Sequence, residues 1–149
     1  MYGSSRLLAI VAGASVLAAS AACAQSHEAS GGGYTLRSST VSSESVAGSA
    51  PRAHGIEQDP AVGILNVTVL RKGQPGNGTV AAAIGATVRD LVGRSRPIGM
   101  TQDRENGFVS YYGTYRRLAG ERLDFLITAF PEGTAVKLRL HYRDRVAPR

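Results

Sequence analysis

Three histidines, His27, His54 and His141, are the residues of this 149-residue chain best suited to moving protons or holding a metal near neutral pH. Their spacing works against both roles. None pairs with another at the short intervals of a metal site, and no cysteine follows Cys23, so the sequence offers no zinc or copper ligand set. Ser38, Ser39, Ser42, Ser43, Ser45 and Ser49 are abundant, but none stands in the Gly-x-Ser-x-Gly turn that exposes a hydrolase nucleophile. Glu105, Glu121, Asp124 and Glu132 fall at turns or outward strand positions, a weak basis for an acid–base pair. The expectation is a domain without catalytic, cofactor or metal residues. The alternative is a small envelope hydrolase using Ser or Asp/Glu with His54 or His141.

Binding chemistry has better candidates. In Tyr111-Tyr112-Gly113-Thr114-Tyr115-Arg116, alternation puts Tyr112 and Arg116 on one face, a pairing suited to sugar or peptide contacts. The same alternation turns Lys137, Arg139, His141 and Arg143 outward as a cationic row. Each pattern has a plainer reading, as a packed second aromatic layer and as a charged edge that resists strand-to-strand aggregation. Asp124 is a candidate cross-strand acid for the row.

Net charge points the same way. The chain carries a formal charge of +6 and a sequence pI near 10.0, and its basic residues are 15 Arg and 2 Lys. Such a balance suits an anionic polymer, a lipid surface or nucleic acid. Export, argued next, removes nucleic acid and leaves another envelope protein or an anionic envelope polymer as expected partners.

Residues 1–24 read as a signal peptide. Arg6 precedes the apolar run Leu7 to Ala19, and Ser20-Ala21-Ala22-Cys23-Ala24 supplies small residues for cleavage. The run is too short to span a bilayer, which takes about 20 apolar residues. Ala22-Cys23-Ala24 fits ordinary cleavage, which leaves Gln25 first and releases the protein into the periplasm. Ser20-Ala21-Ala22-Cys23 also resembles a lipobox, with Ser20 where leucine is usual. Lipidation at Cys23 would tether the same domain to the membrane as a lipoprotein.

Beyond the leader, Gln25 to Gly33 is polar and glycine-rich and reads as a flexible tether. Residues 34–146 show period-two alternation broken by turn clusters, the pattern of an all-β fold. Strands are expected over Tyr34–Val41, Gly63–Arg71, Val80–Val88, Ser95–Thr101, Phe108–Arg117, Arg122–Phe130 and Thr134–Arg143. Ser49–Gly55 could form one helical turn, Pro97 points to an edge strand, and Gln102–Gly107 reads as a polar turn. The expected architecture is a single immunoglobulin-like antiparallel β-sandwich of about seven strands.

Several segments together resemble the bacterial domain-of-unknown-function family 4426, small exported proteobacterial proteins. They are Gly33-Tyr34, His54-Gly55-Ile56, Ile64-Leu65-Asn66-Val67-Thr68-Val69, Asp90-Leu91-Val92-Gly93, Tyr111 to Arg116, Glu121 to Phe125 and Pro131-Glu132-Gly133. The resemblance spans about Gly33 to Val146. It implies an exported β-domain and transfers no catalytic residue. Ser38-Ser39-Thr40-Val41 departs from that family's aromatic first strand, and Leu140-His141-Tyr142-Arg143 from its aromatic ending, which puts any shared aromatic surface in doubt.

Overall fold

A computed structural model describes residues 25–45, 55–74 and 78–147. The leader, Cys23, His54 and most of the expected helical turn lie outside the described residues. Nine strands follow in chain order: β1 (Ser26–Gly31), β2 (Tyr34–Ser42), β3 (Val62–Arg71), β4 (Ala82–Arg89), β5 (Ser95–Ile98), β6 (Thr101–Glu105), β7 (Phe108–Arg116), β8 (Arg122–Pro131) and β9 (Leu138–Arg145). They form two antiparallel sheets, one of order β1-β2-β3-β7-β6 and one of order β5-β4-β8-β9. The all-β sandwich expected from alternation is the fold.

Alternation explains how the sheets meet. Leu65, Val67 and Val69 of β3 are buried on the inner side, as are Leu123, Phe125 and Ile127 of β8. Each side chain of this kind contributes about 1.5–3 kcal/mol on burial. Two hydroxyls also tie the sheets together. Tyr142 of β9 hydrogen-bonds buried Ser38 of β2 at 2.9 Å, and the Tyr111 hydroxyl accepts from the Ala82 amide at 2.8 Å.

Two expected loops are strands. Gln25 to Gly33, read as a tether, contains β1, which pairs with β2 from Ser26↔Ser39 to Gly31↔Tyr34. Its sequence is polar because β1 is an edge strand that hides only His27, Ala29 and Gly31, and these only partly. His27 stacks on Tyr142 with ring centroids 3.9 Å apart, so β1 closes the sandwich against β9. Gln102–Gly107, read as a turn, contains all of β6 but Thr101, and its hairpin to β7. Asn106 (φ 50°) and Gly107 (φ 79°) form the tight corner, a signal the Asn-Gly pair carried in plain sight. These two strands, with β5 ending at Ile98, raise the count from about seven to nine.

The opposite side closes differently. The chain passes from one sheet to the other through Gly99 and Met100, between β5 and β6. Gly113 of β7 permits the crossing, since a Cβ there would lie 2.6 Å from both the Gly99 carbonyl and the Ile98 Cγ2. Pro97 lies on β5, an edge strand as expected.

Candidate binding faces

The candidate surface residues divide between the two sheets. Tyr112 and Arg116 lie on β7 and face outward from the five-stranded sheet. Arg139, His141 and Arg143 lie on β9 and face outward from the four-stranded sheet. The two outer faces of a sandwich point in opposite directions, so these residues do not form one connected patch. Lys137 precedes β9 rather than lying in it, and its ammonium sits 5.7 Å from the centre of the Phe130 ring.

On the four-stranded sheet, register builds a basic face. Arg89, Asp124 and Arg143 stand in one row across β4, β8 and β9, and Arg122 pairs with Arg145 in the next row outward. Thr87, Leu126 and His141 form the row on the other side, followed by Gly85, Thr128 and Arg139. A shallow depression of about 390 Å³ lies over these rows, lined by Thr87, Arg89, Asp124, Leu126, Arg139 and His141, with Ser95 at its β5 rim.

Asp124 is the one carboxylate that these strands turn outward; Asp144 of β9 faces the other sheet, where it accepts from Thr40. Arg143 donates to both its oxygens, Nε at 2.7 Å and Nη2 at 3.2 Å, and Arg89 stands 3.8 Å away. The Arg143 hydrogen bonds, with the positive charge around them, outweigh burial and hold the Asp124 carboxyl below its usual value of 3.8. The expected cross-strand neutralisation therefore exists, but it is spent on Arg143. Arg139, Arg122 and Arg145 keep their charges for solvent or a ligand, since none pairs with an acid among the described residues.

The five-stranded sheet presents a mixed face. Arg37 is paired with Glu28 at 2.6 Å, and β6 turns Asp103 and Glu105 outward beside Ser110 and Phe108. Tyr112 and Arg116 share a depression of about 480 Å³ with Glu57, Asp59 and Thr114. They do not stack on each other, because four residues of strand, about 13 Å, separate them.

Of the hydrolase alternatives, His54 lies outside the described residues, and Asp124, which shares the depression with His141, is held by Arg143. Ser95 and His141 border one depression, yet β4 and β8 lie between their strands, a separation of about 14 Å at ordinary strand spacing. Buried Tyr142 and Tyr115 hold their hydroxyl protons, burial pushing Tyr115 up to about 12 and Tyr142 higher still. His27, expected in a tether, is wedged against Tyr142 with its Nε2 buried and lacking a hydrogen-bond partner.

The sequence matches the family model described as a domain of unknown function, DUF4426, over residues 28–146. The chain belongs to the DUF4426 family. A crystal structure of a DUF4426 protein from Pseudomonas aeruginosa PAO1 is similar, with a TM-score of 0.71 and 20% identity, covering 83% of this chain and 96% of that one. FetP of uropathogenic Escherichia coli strain F11 shares the fold at greater distance. A copper-bound FetP variant gives a TM-score of 0.56 at 10% identity, covering 84% of this chain and 99% of that one. FetP as isolated, after recombinant expression in the periplasm, gives 0.57 at 11%, covering 83% and 97%. A search of curated proteins found no match. The DUF4426 match includes β1 from Glu28 onward, in keeping with the ordered strand where the sequence suggested a tether.

Arg89, Arg122 and Arg145 belong to the basic face and were not legible as such in the sequence. Arg89 falls just past the strand expected over Val80–Val88, and only the β4-β8-β9 order places it beside Asp124.

Proposed function

We propose that this DUF4426 protein is an exported, non-catalytic binding domain of the cell envelope that takes an anionic polymer on the outer face of its four-stranded sheet. The observation that carries the reading is the charge of that face. Arg89, Arg122, Arg139, Arg143 and Arg145 project from three adjacent strands around Asp124, which is already bound to Arg143. A flat field of arginines offers planar, multi-donor contacts to sulfate, phosphate or carboxylate groups repeated along a chain. The distance between Ser95 and His141, and the hold of Arg143 on the Asp124 carboxylate beside His141, support a binding role over a hydrolytic one.

The leader supports release into the periplasm, with a lipid anchor on Cys23 as the alternative; mass spectrometry of the native N-terminus separates the two. Copper, bound by the FetP variant, finds no ligand set among the described residues, where no three His, Cys, Asp or Glu side chains gather. His27 packs inward on Tyr142, while His141 faces outward from the neighbouring position of β9.

Titration with dextran sulfate, a model polyanion, tests the proposal. Binding that weakens with salt is expected, and the R139E/R145E double variant, which leaves the Asp124 pairs intact, should lose about tenfold or more in affinity. Unchanged affinity in a folded double variant would remove this face from the reading.

A further inference from the structure

The most exposed large apolar side chains of the described fold are Leu91, Val92 and Leu118, at 69%, 76% and 69% exposure. They sit on two turns at one end of the sandwich. Leu91 and Val92 follow β4 after Asp90, and Leu118 lies in the turn that leads into β8. Because β4 and β8 are antiparallel neighbours, with Arg89 opposite Asp124, the end of β4 and the start of β8 emerge side by side.

The first turn is braced so that its apolar pair stays out. Gly93 donates its amide to the Asp90 carbonyl at 3.0 Å, and Asp90 donates to the Arg94 carbonyl at 3.1 Å, which places Leu91 and Val92 at the two corners. Gly93, at φ 86°, supplies the left-handed residue that returns the chain to β5. The buried Asp90 carboxylate accepts from the Val92 and Arg94 amides at 3.1 and 2.9 Å and from Arg94 Nε at 2.8 Å. Turn corners ordinarily carry Pro, Asp, Asn, Ser or Gly. Leucine and valine, held there by a braced backbone, gain nothing from the fold itself.

Arginines flank the apolar tips: Arg89 and Arg94 around the first turn, Arg96 on β5 and Arg122 at the start of β8. The acids nearest in sequence are engaged. Asp90 holds Arg94, Asp124 holds Arg143, and Glu121 accepts the Leu118 amide at 2.9 Å. Glu44, Glu57 and Asp59 lie on the segment joining β2 to β3, which reaches this same end of the sandwich. There Glu57 and Asp59 share a depression with Arg116, and Arg117 donates to the Ala61 and Pro60 carbonyls. The chain also enters the fold here, since Gln25 lines a groove with Ser42, Arg117, Arg145 and Val146. Cys23, whether cleaved away or acylated, stands two residues before that point.

Apolar tips ringed by arginine are the chemistry of interfacial binding, in which aliphatic groups enter the acyl boundary and cations meet anionic headgroups. We propose that this end of the sandwich docks peripherally on an anionic bilayer, with Leu91 and Val92 inserting, Leu118 beside them, and Arg89, Arg96 and Arg122 at the lipid phosphates. Among the described residues no helix is long and apolar enough to cross a membrane, so the contact is made by turns. This contact shares Arg89 and Arg122 with the polymer face and differs from it in resting on the apolar tips Leu91, Val92 and Leu118.

The test starts from the full chain carrying Cys23→Ala, which excludes an acyl anchor. The recovered protein is sedimented with vesicles of phosphatidylethanolamine and phosphatidylglycerol, and separately with phosphatidylcholine alone. Binding to the anionic vesicles is expected, with a loss of about tenfold or more in L91D/V92D. F108S, which removes an exposed apolar group at the opposite end of β7, should stay within about twofold. Melting curves show that each variant is folded. The chain has no tryptophan, so V92W gives a single reporter whose emission should shift to the blue on anionic vesicles and not on dextran sulfate. No sedimentation of the parent with anionic vesicles, parent-like binding by folded L91D/V92D, or unshifted V92W emission on bound protein would each overturn the proposal. The polymer reading is scored separately, by R139E/R145E.

Discussion

The two outer faces of this sandwich are built by the same rule and differ in what they offer. Each is the outward half of an antiparallel alternation whose inward half fills a shared core. On the five-stranded sheet, outward charge is largely cancelled: Arg37 is paired with Glu28, and Arg116 shares its depression with Glu57 and Asp59. On the four-stranded sheet it accumulates, because Asp124 meets only part of the arginine around it. The lesson is that a chain-wide charge of +6 says little until strand order shows where it collects.

If one core supports both faces, a core lesion should abolish the comparison altogether. Phe125→Ala removes the ring that meets Tyr115 of the opposite sheet edge-on at 5.0 Å and stacks on Tyr142 at 5.2 Å. A loss of about 3–5 kcal/mol is expected in urea denaturation, in one transition affecting both sheets. Two separate transitions would mean that the faces are independently held.

Asp124→Asn should sharpen the contrast instead. It removes the acid of the basic face and frees Arg143 and Arg89, so dextran sulfate should bind a few-fold tighter, about two- to fivefold. The substitution also has a pH signature. Arg143 holds the Asp124 carboxyl below 3.8 in the folded protein. A carboxylate of this kind lends stability that is complete above its unfolded-state pKa and fades as pH falls through the lower folded value. The gap in melting temperature between parent and D124N should therefore narrow from pH 7 to pH 3. A constant gap would place the effect of Asp124 in packing rather than charge.

The smallest effect is expected on the other face. Tyr112→Ala should change dextran sulfate affinity by less than about twofold, because its neighbourhood is charge-mixed. A large loss, measured on a folded variant, would return binding to the β7 strand.

Much of this fold is legible in the sequence where burial is one-sided. Leu65, Val67 and Val69 alternate with Asn66 and Thr68, and the structure buries the apolar set. Pro97 announces an edge strand, and Asp124 does meet the cation row. The edge strands β1 and β6 escaped because alternation records burial and these strands bury little. Ser26–Gly31 is held chiefly by backbone pairing to β2, which leaves almost no trace in side-chain type. Sheet membership escaped for a different reason. Tyr112 and Arg139 are both outward residues of well-formed strands, and nothing local in either segment records that β7 joins one sheet and β9 the other.

The most direct test of the basic-face reading is residue-level mapping of dextran sulfate binding by amide chemical shifts. The prediction is that perturbations concentrate on β8 and β9 around Asp124, His141 and Arg143 and extend to Arg89, while Tyr112 to Arg116 remain still. Perturbations centred on β7, or spread evenly over both sheets, would contradict it.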